Sequence, residues 1–140
     1  MKREASARWN GGFKDGSGVV STSSGALRDI EYSAGMRFEN HPGTNPEELV
    51  AAAHASCFSM AFAVQLGTAG ITAESIDTRA SANFEKLEAG WTVSAIHLAV
   101  SVKAPGADQA AIRTAAENAK KGCPISRLLK AEITMDVAIS

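Results

Sequence analysis

Asn45-Pro46-Glu47-Glu48-Leu49-Val50-Ala51-Ala52-Ala53-His54-Ala55-Ser56-Cys57-Phe58-Ser59-Met60-Ala61-Phe62-Ala63-Val64-Gln65-Leu66 decides how the rest of the chain is read. Asn45 can cap a helix, Pro46 suits its first position, and Glu48 falls where a capping box places its carboxylate. The run that follows predicts one long helix ending near Gly67 or Gly70. Leu49 to Leu66 carries no formal charge. A helix with almost no polar face is packed on all sides. At about 30 Å it is more than a chain of this size covers by itself. Its many small side chains would let another element approach closely. A second copy of the chain is the economical cover, so a homodimer is expected. The same run is at the short limit for a membrane span. His54, Ser56, Ser59 and Gln65 interrupt it, and no basic flank marks an orientation. The expectation is a buried helix in a soluble, cytoplasmic protein with no membrane partner. The N-terminal Met1-Lys2-Arg3-Glu4-Ala5 has no apolar stretch behind it, so no signal peptide is expected.

Outward from the helix, both flanks read as strands. Gly11-Gly12, Asp15-Gly16 and Ser24-Gly25 punctuate short segments before it. From Ile30 to Phe38 the even positions are Ile30, Tyr32, Ala34, Met36 and Phe38. That period of two predicts a half-buried strand with Arg37 on the opposite face. His41-Pro42-Gly43-Thr44 is a turn. After the helix, Ile71 to Phe84 and Trp91 to Lys103 are expected strands joined by a hairpin at Leu87-Glu88-Ala89-Gly90. Asp108 can cap a helix to about Lys121, with Lys120 and Lys121 suiting its C-terminal end. Cys123-Pro124 then opens a short helix to about Lys130. The alternation of Ala131, Ile133, Met135, Val137 and Ile139 predicts a last strand. The order of elements gives an α+β fold rather than a doubly wound one, in a single domain spanning 1–140. Gly16-Ser17-Gly18 lies between strands and is no nucleotide loop.

Composition bounds the function. The chain has 140 residues, 45% of them apolar, enough for a core without staples. Lys plus Arg number 14 against 15 Asp plus Glu, which argues against nucleic acid as a partner. With two cysteines, neither a disulfide-rich scaffold nor a four-thiolate zinc site is available. The two thiols are open to four readings: buried and inert, free, a stray disulfide, or a redox pair joined by the fold.

Four positions, with His54 beside them, draw attention. Cys57 in an apolar helix is by default a small hydrophobe. His54, three residues earlier, shares its face, and a cationic imidazole there would favour a thiolate. Cys123 stands just before Pro124 and is placed at a helix N-cap, where free backbone N–H groups favour a thiolate. Local context therefore ranks Cys123 as the more acidic thiol. Arg37 and Glu47 are each ordinary surface residues taken alone. Together they suit an arginine that holds a thiolate or substrate and a carboxylate that holds the arginine. Ten residues of helix, about 15 Å, separate Glu47 from Cys57. Either Asn45–Glu48 is a separate turn or a partner subunit supplies one of them. His41, His97 or a carboxylate could add to two cysteines and His54 as metal ligands, but no ligand spacing supports it and no metal is expected.

Several segments taken together resemble the osmotically inducible and organic hydroperoxide resistance (OsmC/Ohr) family, in its osmotically inducible branch. They are Arg37-Phe38-Glu39, Gly43-Thr44-Asn45-Pro46-Glu47-Glu48-Leu49, Ala51-Ala52-Ala53-His54-Ala55-Ser56-Cys57-Phe58-Ser59-Met60-Ala61, Ser75-Ile76-Asp77-Thr78, Gly122-Cys123-Pro124-Ile125-Ser126 and Leu129-Lys130-Ala131-Glu132-Ile133-Thr134. The resemblance covers essentially the whole chain. It implies antiparallel sheets packed around a long buried helix in an intertwined homodimer with sites at the subunit interface. It implies a thiol-dependent peroxidase acting on organic hydroperoxides, and on hydrogen peroxide less well. Carried over by position, Cys57 is the peroxidatic cysteine and Cys123 the resolving one, with Arg37 and Glu47 completing the site and His54 in support. In the resistance branch the arginine comes from an earlier loop, and an aromatic residue tends to stand where this chain has His54. The implied cycle forms a Cys57 sulfenic acid and a Cys57–Cys123 disulfide. An external dithiol, such as a lipoyl-bearing protein, reverses it, with no cofactor. The alternative is a dimeric redox sensor or small-ligand-binding protein without turnover.

Overall fold

The first forty residues pair into a small sheet of their own. The computed structural model describes residues 1–140 and forms two compact units, Met1–Leu49 and Val50–Ser140. In the first unit, β1 (Ala5–Asn10), β2 (Ser17–Thr22) and β3 (Ile30–Tyr32) form an antiparallel sheet in the order β1-β2-β3. Trp9 packs on Tyr32 with ring centroids 5.6 Å apart. The strand expected over Ile30–Phe38 is only three residues long, and the remainder is the short helix α1 (Ala34–Phe38). Two causes act together. β3 pairs with β2 only as far as Gly18 opposite Tyr32, and β2 begins one residue earlier, so no strand lies opposite Met36 or Phe38. Ser33 then accepts a hydrogen bond from the Met36 amide at 3.3 Å and caps a helical turn in place of the ladder. Arg37 is thus a helical residue.

The long helix, α2 (Pro46–Thr68), starts where expected. The Glu48 amide donates to Asn45 Oδ1 at 2.8 Å, and the Thr44 hydroxyl donates to the Glu48 carboxylate at 2.9 Å. Its end is set by Gly70, whose φ of 72° suits glycine. There the Ile71 amide bonds back to the Leu66 carbonyl and the Gly70 amide to that of Gly67, a Schellman motif. Because Ile71 is engaged in ending the helix, the next strand begins at Ser75 rather than at Ile71.

In the second unit, β4 (Ser75–Leu87) and β5 (Gly90–Lys103) form an antiparallel hairpin with a register shift at Asn83/Phe84. The helices α3 (Gln109–Gly122) and α4 (Pro124–Leu128) follow, then β6 (Glu132–Ile139). Asp108 caps α3, accepting from the Ala110 and Ala111 amides. The α+β class is as expected, but this sheet is not wholly antiparallel. β6 runs parallel to β5, from Ala95 opposite Glu132 to Val102 opposite Ile139. The physical reason is connectivity: α3 and α4 return the chain to the starting end of β5, as a crossover does.

The inner face of β5, with Ile96, Leu98, Val100 and Val102, shares one core with Phe58 and Phe62 of α2 and with Ile112 of α3. The buried stripe of α2 is His54, Phe58, Phe62 and Leu66, one residue every four. Each fully buried phenylalanine contributes about 1.5–3 kcal/mol. Ser59 ties the helix to the sheet by donating to the Thr78 hydroxyl at 2.8 Å. α2 is long and apolar enough to cross a membrane, yet this stripe lies in a core shared with β5 and α3. Packing on all sides is not achieved within one chain, since Met60 and Val64 are 73% and 65% exposed.

Candidate active site

Two segments far apart in sequence bring the thiols together. Cys57 sits mid-helix on α2, where the backbone amides are already used within the helix. Cys123 sits at a junction. Its amide donates to the Ala119 carbonyl at 2.8 Å to close α3, and its carbonyl accepts from the Arg127 amide at 3.0 Å to open α4. Gly122 and Pro124 explain why the chain turns there: glycine weakens the end of α3, and proline suits only the first turn of a new helix. The two sulfurs lie 3.1 Å apart, both as free thiols. Closing to a disulfide bond of about 2.05 Å takes roughly 1 Å of movement.

Their surroundings differ. Cys57 is partly exposed and Cys123 fully buried. Burial, and then the hydrogen bond with Cys123, pushes the Cys57 thiol above its ordinary value, with partial relief from the Ile125 backbone. Burial also acts upward on Cys123, but it is outweighed. The Ser126 amide, Cys57, the Ser126 hydroxyl and the Ile125 amide together bring Cys123 down. No full side-chain capping hydrogen bond closes on its sulfur. Local donors therefore favour negative charge at Cys123, while burial disfavours it at Cys57.

His54 is fully buried, and its Nε2 lies 2.7 Å from Ser126 Oγ. Burial pushes its pKa down, which favours the neutral ring. Burial thus works against the cationic imidazole expected beside Cys57. His54 Nδ1 has no hydrogen-bond partner. Ser126 stands in the Gly122–Ser126 segment with no functional role expected of it. Its only signal is a polar residue three positions after Cys123, and its partner is 72 residues away.

Arg37 and Glu47 do meet, within the first unit. Arg37 Nε donates to both Glu47 oxygens at 3.2 and 3.1 Å, and Arg37 Nη2 donates to Oε1 at 2.6 Å. This two-pronged geometry fixes the guanidinium plane. Phe38 adds a ring 5.3 Å from the guanidinium carbon. α2 is a single element from Pro46, so the separate turn at Asn45–Glu48 does not form.

A thiol on an apolar helix close to a second thiol at a helix junction and, separately, an arginine held by a carboxylate are also what the resemblance implied. The profile of OsmC-like proteins matches residues 38–138. Peroxiredoxin OsmC of Escherichia coli (strain K12) is 48% identical over 136 residues, 97% of this chain and 95% of that protein. The chain belongs to the OsmC family. Peroxiredoxin OsmC of Shigella flexneri matches equally well. Among solved structures, the organic hydroperoxide resistance protein OhrB of Bacillus subtilis superposes with a TM-score of 0.72 at 22% identity. The match covers 100% of this chain and 98% of that one. An OsmC-like protein of unknown function from Vibrio cholerae gives 0.80 at 19% identity, over 98% and 99%. At these identities the structures establish the shared OsmC fold.

Proposed function

We propose that this OsmC-family chain is a thiol-dependent peroxidase that reduces organic hydroperoxides, and hydrogen peroxide less well. The observation that carries the reading is the 3.1 Å approach of Cys57 and Cys123 across 66 positions of sequence. The 48% identity to proteins named Peroxiredoxin OsmC supports it. So does a fold shared with an organic hydroperoxide resistance protein.

The Cys57 thiolate attacks the distal peroxide oxygen. A sulfur–oxygen bond forms, the oxygen–oxygen bond breaks, and the alkoxide leaves and is protonated to an alcohol. Cys57 is oxidised by two electrons to a sulfenic acid. Cys123 then attacks that sulfur as a thiolate, a disulfide forms, and hydroxide leaves as water after protonation. An external dithiol restores both thiols by exchange, and a lipoyl-bearing protein fits that role. Arg37, aimed by Glu47, stabilises the Cys57 thiolate and the departing oxygen. Met60, 73% exposed and three residues after Cys57, offers apolar surface suited to an alkyl group, while Phe58 packs into the core.

The proposed working unit is a homodimer of single OsmC-like domains, 1–140, in the cytoplasm. Met60 and Val64 on α2 support it, since a partner would cover them. Because Glu47 and Cys57 lie ten residues apart on one helix, the partner subunit supplies the arginine–glutamate pair to each thiol pair. The test is thiol titration of the folded protein with and without cumene hydroperoxide, followed by peroxide consumption with a dithiol reductant. Loss of both thiols, an intrachain link by mass and sustained consumption are expected. Disulfide formation without sustained consumption would instead make the protein a redox sensor. No loss of thiols would overturn both.

A further inference from the structure

Phe13 is a large aromatic side chain left 62% exposed between β1 and β2, and the peroxide chemistry above has no use for it. The loop that carries it is a built turn. The Gly16 amide donates to the Gly12 carbonyl at 2.8 Å, and the Trp9 indole N–H donates to the Gly11 carbonyl at 3.0 Å. A Cβ at Gly16 would lie 2.3 Å from the Gly12 oxygen and 2.4 Å from that of Asn10, so the chain closes tightly on itself there. The Trp9 ring in turn packs on Tyr32 of β3. A lone exposed apolar residue is ordinary. Phe13 is not alone.

Its ring meets that of Phe38 edge-on, with centroids 5.9 Å apart and planes at 66°. Phe38 in turn carries Arg37 over its ring, with the guanidinium carbon 5.3 Å from the centroid. The three side chains form a row of exposed ring, half-buried ring and cation. Glu47 grips the guanidinium by its edge, and the Arg37 side chain stays 34% exposed, open to a substrate. All four residues belong to the unit Met1–Leu49. The two rings therefore accompany Arg37 to whichever thiol pair it serves.

The chemistry says what would lie against that row. The thiolate takes the distal oxygen of the hydroperoxide, and the oxygen that departs still carries the organic group. Arg37 is assigned to that departing oxygen, so the organic group lies beside whatever flanks the guanidinium. Aromatic surface flanks it here. Hydrogen peroxide carries only a hydrogen at this position and has nothing to lay on either ring. We propose that Phe13 is a specificity-determining residue, whose exposed ring receives the organic group of an alkyl or aryl hydroperoxide while Arg37 holds the departing oxygen. The proposal rests on the role given above to Arg37. Phe38 is half-buried and already faces the cation, whereas Phe13 has open surface. Covering that surface with an apolar group removes it from water, and an aryl group adds a ring-to-ring contact. No bond is made or broken at Phe13.

The test compares two peroxides. With a dithiol reductant in excess, kcat/KM is measured for cumene hydroperoxide and for hydrogen peroxide in the unaltered chain, Phe13→Ala and Phe13→Leu. Phe13→Ala should lower the value for cumene hydroperoxide about tenfold and that for hydrogen peroxide by no more than about twofold. Phe13→Leu, which returns apolar surface, should recover most of the loss. An equal loss with both peroxides would overturn the proposal, since a ring that only seats the turn or the arginine slows both. An unchanged value for cumene hydroperoxide would overturn it too. If Phe13→Ala does not fold, the unaltered protein decides, titrated with 2-phenylpropan-2-ol, the alcohol that cumene hydroperoxide leaves. The Phe13 ring signals in its NMR spectrum should shift and saturate, and signals that stay in place would overturn the proposal. If the unaltered chain consumes neither peroxide, the peroxidase reading fails, and the same titration still decides whether Phe13 receives an organic group.

Discussion

The segment around Cys57 and the segment around Cys123 deliver one sulfur each to the same point from opposite circumstances. Cys57 rides on the middle of a 23-residue helix, where backbone donors are spent and burial disfavours charge. Cys123 sits deeper, at 0% exposure, yet at a break between two helices where nearby amides and a hydroxyl favour charge. Depth and acidity therefore run against each other here, because local donors outweigh desolvation at Cys123 and not at Cys57. The thiol proposed to meet peroxide is the one its own chain activates least. Its activation must come from elsewhere, which is the role assigned to Arg37 and Glu47 of a partner.

The largest effect that could break this contrast is a pair of substitutions. Cys57→Ser should remove peroxide consumption altogether, since the remaining thiol, Cys123, is fully buried. Cys123→Ser should keep one reduction per chain, leave a sulfenic acid detectable by mass, and stop dithiol-driven turnover. The reverse pattern would exchange the two roles.

Next come the seats of the two segments. Phe58→Ala should cost about 3–5 kcal/mol in denaturant unfolding, and Ile112→Ala about 2–5 kcal/mol, because both are fully buried. A cost under about 1 kcal/mol at Phe58 would mean that α2 is loosely held and that the sulfur–sulfur approach is not fixed by packing.

A smaller effect sharpens the account of activation. In Cys123→Ser, the rate of the first peroxide reduction should follow the Cys57 thiolate as pH is raised. Burial alone places that rise above the ordinary thiol value of 9.0. A rise centred well below 9.0 that moves upward in Glu47→Gln would show that the arginine–glutamate pair supplies the missing positive potential.

The smallest effect lies in acid stability. Burial lowers the folded-state pKa of His54 from 6.5, so below that value the unfolded chain binds more protons at this site. Its contribution is complete above pH 6.5 and is lost as pH falls through the window between 6.5 and the lowered value. The melting temperature should drop across that window, and His54→Gln should flatten the drop. Equal slopes in both proteins would mean that His54 takes up its proton as readily in the folded protein as in the unfolded chain.

Much of this was legible residue by residue. The start of α2 follows from Asn45 and Pro46, and its extent from an uncharged run closed by Gly70. The cap on α3 follows from Asp108, and the junction at Cys123 from Gly122 and Pro124. These are local signals, each decided within a few residues. The strand over Ile30–Phe38 failed because alternation records only side-chain faces. Whether a partner strand stands opposite depends on where β2 begins. The parallel direction of β6 was hidden for the same reason, since an alternating run reads alike in both directions.

For the site, residue types and their order pointed to both cysteines, Arg37 and Glu47, and the helix-start donors beside Cys123 were legible from Pro124. Tertiary structure alone decided that the sulfurs lie 3.1 Å apart, that Arg37 meets Glu47 in a two-pronged pair, and that His54 is buried against Ser126. The reason is physical. Capping, turn formation and helix length depend on neighbours along the chain. Thiol pairing, desolvation and the partner of a buried imidazole depend on what folding brings within about 3 Å across sixty or seventy residues.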